Sequence, residues 1–216
     1  MWLSLAVGAV LAAGVANPAP RFLALGDSYT IGEGVAPSEN WPHQLAAALH
    51  LDAPEILART GWTTDELSAA LDTHAFHPPY DLVTLLIGVN NQYRGRDLEN
   101  YRVEFRTLLE RAIALAGGDA RHVLVVSIPD WGVTRFGAKS GRNTTQIARE
   151  IDAFNAAASD ISAARHARYV DVTAISRERG GDTDMLVADG LHPSAAMYTR
   201  WTAVIAPQAQ AALRQR

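Results

Sequence analysis

From Arg21 onward, short unbroken runs of apolar residues alternate with longer stretches in which apolar positions recur every three or four residues. A strand covered on both faces is apolar throughout, whereas a helix lying on a sheet is apolar along one stripe. The alternation therefore predicts a parallel sheet with helices on both sides. Strands are expected over residues 22–25, 55–58, 82–87, 123–127 and 169–172. The runs Leu82-Val83-Thr84-Leu85-Leu86-Ile87 and Val123-Leu124-Val125-Val126 carry the pattern most clearly. Helices are expected over 41–49, 64–71, 98–116 and 144–165, with a last one from Ser194 to about residue 213. Thr63 followed by Glu66 fits a capping box, Gly117-Gly118 stops a helix, and Ser194 suits an N-cap.

Composition narrows the picture. At 216 residues, 48% of them hydrophobic, the chain can bury one sizeable core, and no repeat, linker or compositional shift marks a second. One domain is expected over residues 21–216, a three-layer α/β/α sandwich of flavodoxin-like type around a five-stranded parallel sheet. The net charge of −4 comes from scattered acidic and basic residues, with no Lys or Arg run to track a phosphate backbone, so nucleic acid is not an expected partner. The absence of cysteine excludes disulfides, thiolate metal sites and a cysteine nucleophile. Trp2 to Ala16 is almost wholly apolar and is followed by Asn17-Pro18-Ala19-Pro20. Residues 1–20 are therefore expected to be a signal peptide for export to the periplasm or the medium. The alternative is a plain N-terminal tail on a cytoplasmic protein, since no Lys or Arg stands at the start. The stretch is shorter than the ~20 residues of a membrane-spanning helix, so no integral span is expected in the mature chain.

In open parallel sheets, ligands bind beyond the carboxyl ends of the strands. Four groups lie there: Gly26-Asp27-Ser28-Tyr29-Thr30, Arg59-Thr60-Gly61-Trp62-Thr63, Gly88-Val89-Asn90-Asn91-Gln92 and, before the last helix, Asp189-Gly190-Leu191-His192-Pro193. A serine hydroxyl needs a base to take its proton, and the base needs a third group to fix its tautomer. His192 and Asp189, three positions apart around Gly190, suit those roles for Ser28. Attack on an acyl carbon creates an oxyanion that requires preorganised donors. The backbone N–H groups of Ser28 and Gly61 and the side-chain amide of Asn90 are the candidates, although the Trp62 or Thr63 amide would serve in place of Gly61.

These residues, in this order, resemble the SGNH hydrolases, also known as GDSL esterases and lipases. The family's Ser, Gly, Asn and His fall on Ser28, Gly61, Asn90 and His192. The resemblance runs from Arg21 to the last helix. It implies the flavodoxin-like fold, Ser-His-Asp hydrolysis of carboxylic esters through an acyl-enzyme, and no metal or other cofactor. Substrates would be small-molecule or lipid acyl esters, with thioesters as an extension, and the chain is expected to act as a monomer. Two positions depart from the family pattern: Tyr29 stands where Leu is usual, and Asn91 where Asp is usual.

Competing assignments are a non-catalytic binding module on the same fold, a carbohydrate O-acetyl esterase, and a metal-dependent phosphoesterase using Asp27, Asp189 and His192. Gly32-Glu33-Gly34 lacks the third glycine of a dinucleotide loop, Pro37 standing in its place, and is expected to be a flexible loop beside the site. His74 and His77 lack a second cluster of ligands and precede Pro78-Pro79, which favours an irregular surface loop. Trp131 fits a core position and a pocket wall equally well.

Overall fold

The computed structural model describes residues 19–214, so the leader expected over residues 1–20 lies outside the described residues but for its last two. The strands are β1 (Phe22–Asp27), β2 (Glu55–Arg59), β3 (Leu82–Leu86), β4 (Val123–Val126) and β5 (Arg168–Val170). All pair in parallel in the order β2-β1-β3-β4-β5. The chain thus winds outward from β1 to β2, then returns past β1 to build the other half. The reversal opens a crevice at the carboxyl ends of β1 and β3.

The helices among the described residues are α1 (Ser28–Ile31), α2 (Trp41–Ala48), α3 (Thr64–Thr73), α4 (Val89–Tyr93), α5 (Leu98–Leu115), α6 (Arg135–Lys139), α7 (Thr144–Ala164), α8 (Thr173–Arg179) and α9 (Ala195–Leu213). Helices α2 and α9 pack together on one face of the sheet, while α3, α5 and α7 cover the other. The three-layer, flavodoxin-like arrangement read from periodicity is the one observed. The five strands and five long helices lie where expected, with ends displaced by one or two residues.

The short helices α1, α4, α6 and α8 were not anticipated. At four to seven residues they are too brief to display a 3.6-residue period. Their starts are set by local chemistry instead. The Asp27 carboxylate accepts from the Tyr29 N–H to begin α1, and the Thr134 hydroxyl accepts from the Gly137 N–H to begin α6. Ser194 caps α9 as predicted by accepting from the Met197 N–H. Glu66 Oε2 accepts from the Thr63 N–H at 2.9 Å, which is one arm of the predicted capping box.

Every residue of β1, β3 and β4 is buried, whereas β2, at the sheet edge, is mostly half-buried. Leu23, Leu25, Leu82 and Leu85 are fully enclosed, and each such side chain contributes about 1.5–3 kcal/mol relative to exposure. Where β1 turns into α1, the backbone is too crowded for any side chain. A Cβ on Gly26 would collide with the Thr30 side chain and lie 2.5 Å from the carbonyl oxygen of Leu86 on β3. Gly26→Ala is accordingly expected to lower stability by about 2–4 kcal/mol, since the Leu86 backbone cannot yield as a side chain can. Urea unfolding of the two proteins measures it, and an unchanged midpoint would show that β1 and β3 separate freely there.

Candidate active site

Ser28 is the first residue of α1, directly after β1, and only 4% of it is exposed. The Asp27 side chain that caps this helix is wholly buried. Its Oδ1 accepts from Tyr29, but its Oδ2 has no hydrogen-bond partner. Burial pushes the Asp27 carboxyl up to about 7, against the smaller opposing effect of backbone N–H bonds. The Tyr29 ring is also buried, with its centroid 5.5 Å from that of the His192 imidazole and 6.2 Å from Trp201. Tyr29 therefore packs beside the histidine.

Asp189 and His192 sit on a tight turn closed at its base by paired backbone bonds. The Gly190 N–H donates to the Val187 carbonyl, and the Val187 N–H to the His192 carbonyl. Gly190 takes a φ of +71°, in the left-handed region that glycine enters without strain. This turn lets one carboxylate hold the whole segment. Asp189 Oδ1 accepts from the Leu191 and His192 amides at 2.8 and 3.0 Å, and Oδ2 lies 2.6 Å from His192 Nδ1. Partial burial pushes the Asp189 carboxyl up. The ring and backbone N–H bonds and the His192 charge outweigh it and hold the group below its ordinary range. An ionised carboxylate only accepts, so Nδ1 donates to it, and in the neutral form of the ring Nε2 would be the acceptor.

Gly61 and Asn90 come from different strand ends and meet through one short segment. Gly61 has a φ of +85°. The Trp62 N–H is engaged by the Arg59 carbonyl and the Thr63 N–H by Glu66. Among the described residues the Gly61 N–H has no such partner and is the one of the three amides left free. One N–H of the Asn90 amide donates to the Trp62 carbonyl at 2.9 Å, leaving the second unused. Asn91, fully buried, accepts from the Thr64 N–H at 3.1 Å and donates to the Thr64 hydroxyl at 2.6 Å. An amide makes both bonds at once, whereas an ionised aspartate could only accept.

Ser28, Gly61, Asn90 and His192 all line one cavity of about 210 Å³, and Asp189 stands behind the histidine. The remaining walls are Tyr29, Thr60, Val89, Tyr93, Trp131, Phe136 and Leu191. Trp131 proves to be both core and wall, being 2% exposed yet lining the cavity. Its indole N–H donates to Gln92 at 2.7 Å, and Gln92 donates to Glu150 at 2.6 Å. Tyr93 and Phe136 were missed at the sequence level because each lies in a five-residue helix with no readable period. The Tyr93 position three residues after Asn90, on the same short helix, is the one signal that would have found it.

The other candidates fall elsewhere. His74 pairs with Glu55 at 2.7 Å, and His77 lies in the irregular segment that follows α3. Among the described residues no three His, Asp or Glu side chains gather as a metal site, so Asp27, Asp189 and His192 do not converge as ligands. The segment Gly32-Glu33-Gly34 is tied down, with the Gly32 and Glu33 amides both bonded to the Ser28 carbonyl at 3.1 Å and Gly34 packed on Val187. No helix among the described residues is long and apolar enough to cross a membrane.

Residues 24–200 match the GDSL-like lipase/acylhydrolase family. A lipase/acylhydrolase from Enterococcus faecalis superposes with a TM-score of 0.66 at 22% identity, over 88% of this chain and 94% of that one. Phospholipase A1 from Streptomyces albidoflavus NA297 gives 0.65 at 20% identity, over 89% and 98%. Axe2, an acetylxylan esterase from Geobacillus stearothermophilus, gives 0.66 at 19% identity, over 89% and 94%. At these identities the likeness is one of fold. No curated protein matches the sequence.

The buried Asp27 has a consequence for stability. Its native pKa of about 7 exceeds the ordinary 3.8. Between those values the folded protein therefore retains a proton that the unfolded chain has lost, and stability falls as pH rises through the window. Asparagine preserves the cap and never ionises. Asp27→Asn should thus gain about 2–4 kcal/mol on the wild type between pH 4 and pH 8. Other carboxylates cancel in the comparison of the two proteins. Thermal midpoints of both across that range provide the measurement, and a constant difference would mean that Asp27 ionises normally.

Proposed function

Because the chain belongs to the GDSL-like lipase/acylhydrolase family, we propose that it is a serine esterase in which Ser28 is the nucleophile, His192 the base and Asp189 its orienter. The observation that carries this reading is the 2.6 Å Asp189–His192 pair standing at a cavity that Ser28, Gly61 and Asn90 also line. His192 Nε2 accepts the Ser28 proton as Oγ attacks the acyl carbon, and the carbonyl oxygen takes the negative charge. The Ser28 and Gly61 amides and the free N–H of Asn90 receive that charge. Collapse expels the alcohol with the proton from Nε2 and leaves an acyl-serine. Water, deprotonated by the same nitrogen, then releases the acid and restores Ser28. No direct hydrogen bond joins the Ser28 and His192 side chains among the described residues, and such catalytic bonds commonly tighten only as the substrate complex forms.

The cavity also favours a size of substrate. Its apolar walls enclose about 210 Å³, and a cavity of ~150 Å³ accommodates a benzene-sized molecule. The reading is therefore of an ester with a short acyl group, roughly two to eight carbons, acting without a cofactor and as a monomer. The apolar leader is retained in it as an export signal.

Ser28→Ala and His192→Ala should each abolish turnover of p-nitrophenyl esters in folded protein, with the double variant no worse than either single one. Substantial residual activity in Ser28→Ala would sink the assignment. Asn90→Ala should lower kcat by about 10²–10³-fold with KM nearly unchanged. A depressed thermal midpoint with kcat intact would instead make Asn90 a scaffold residue. Across p-nitrophenyl esters from acetate to palmitate, kcat/KM should peak at or below the octanoate and fall at least tenfold by palmitate. A rise that continues to palmitate would overturn the short acyl pocket.

A further inference from the structure

A glycine amide is a poor choice for a preorganised donor unless something else immobilises it. Without a Cβ the residue turns about φ and ψ with little steric resistance. At Gly61 the peptide on the far side is held from outside its own segment. Arg94, in the turn that ends α4, donates Nη2–H to the Gly61 carbonyl at 2.6 Å, while its Nη1 lies 3.3 Å from Glu66. On the same helix Asn90 holds the next carbonyl, that of Trp62. Just beyond, Arg96 reaches Asp65 at 2.5 Å. The segment that carries the Gly61 N–H is therefore laced to the helix that carries Asn90, and Arg94 makes the bond nearest the glycine.

The stabilising value of this arrangement is small. The Arg94 and Glu66 side chains are 42% and 40% exposed, and an ion pair so wet is worth about 0–1 kcal/mol. A Cβ placed on Gly61 would come no nearer than 3.7 Å to the guanidinium, so the arginine is not there to fill space either. Its geometric effect is specific: pinning the carbonyl restrains rotation about ψ of Gly61 and so narrows the directions open to the N–H on the other side of the same Cα.

We propose that Arg94 is a positioning residue that holds the Gly61 amide in the orientation required of an oxyanion donor. The inference rests on the esterase reading for its consequence in catalysis, and on the hydrogen bond alone for its consequence in structure. Lysine reaches the same carbonyl with one N–H but lacks the planar fork that engages Glu66 at the same time. Methionine keeps the bulk and loses both bonds.

The test compares Arg94→Met and Arg94→Lys with the wild type and with Ser28→Ala in full-length protein. Arg94→Met should lower kcat for p-nitrophenyl butyrate about tenfold, a fraction of the effect of deleting an oxyanion donor outright. KM should stay within twofold, with Arg94→Lys recovering part of the loss. The thermal midpoint should shift by less than about 2 °C, as expected for an exposed pair. Independently of turnover, the backbone amide resonance of Gly61 should move and exchange faster with solvent in Arg94→Met. An unchanged kcat overturns the proposal, as does a kcat loss matched by a large fall in midpoint or an unmoved Gly61 resonance. Retention of activity by Ser28→Ala would defeat the esterase reading instead, and the Gly61 resonance alone would then decide whether Arg94 sets the loop.

Discussion

A donor can stabilise a developing oxyanion only if nothing else in the protein has claimed it, and folding works against leaving such a group unclaimed. Buried amides are almost always paired. In the proposed oxyanion hole, Gly61 and Asn90 meet both demands because the neighbours of each donor are paired and the donor itself is not. The Trp62 and Thr63 amides are engaged, the Gly61 and Trp62 carbonyls are held by α4, and one N–H of Asn90 is anchored so that the other has a fixed direction. Much of the crevice depends on this. The segment after β2 must be stiff, α4 must start soon after β3, and the two must meet across the end of β1, which lies between β2 and β3.

The two carboxylates near the serine show how environment separates identical chemistry. Asp189 lies partly in solvent and accepts two amides and an imidazole N–H, so its charged form is favoured. Asp27 is sealed beneath α1 with one oxygen unpaired, and burial holds its proton toward neutrality. A neutral carboxyl at that depth caps the helix without setting a second negative charge close to where the proposed reaction would place an oxyanion. Its instability as an anion is a strain carried by the fold beside Ser28.

The apolar side of the crevice is likewise shaped by polar groups out of sight of it. Trp131 presents its ring to the cavity while its N–H is fixed by Gln92, which in turn is fixed by Glu150 on α7. Arg142 bonds Glu150 and lies 5.2 Å from the Trp131 ring centroid. A wall braced in this way limits the volume available to an acyl chain, because widening it would strand buried donors and acceptors.

The sequence by itself determined the layered architecture and the strand ends at which chemistry could occur. Burial on two faces writes an unbroken apolar run such as Val123–Val126, and amphipathic helices write their period over many residues. It also determined the Asp189–His192 pair, since three positions around a glycine are a local matter. What it left open was decided by contacts between segments far apart in the chain: which of three consecutive amides stays free after β2, whether Trp131 is core or wall, and what Tyr93, Phe136 and Arg94 touch. Helices of four or five residues have no period to read, and a free N–H is defined by the absence of partners. That absence exists only once the segments on either side have folded against it.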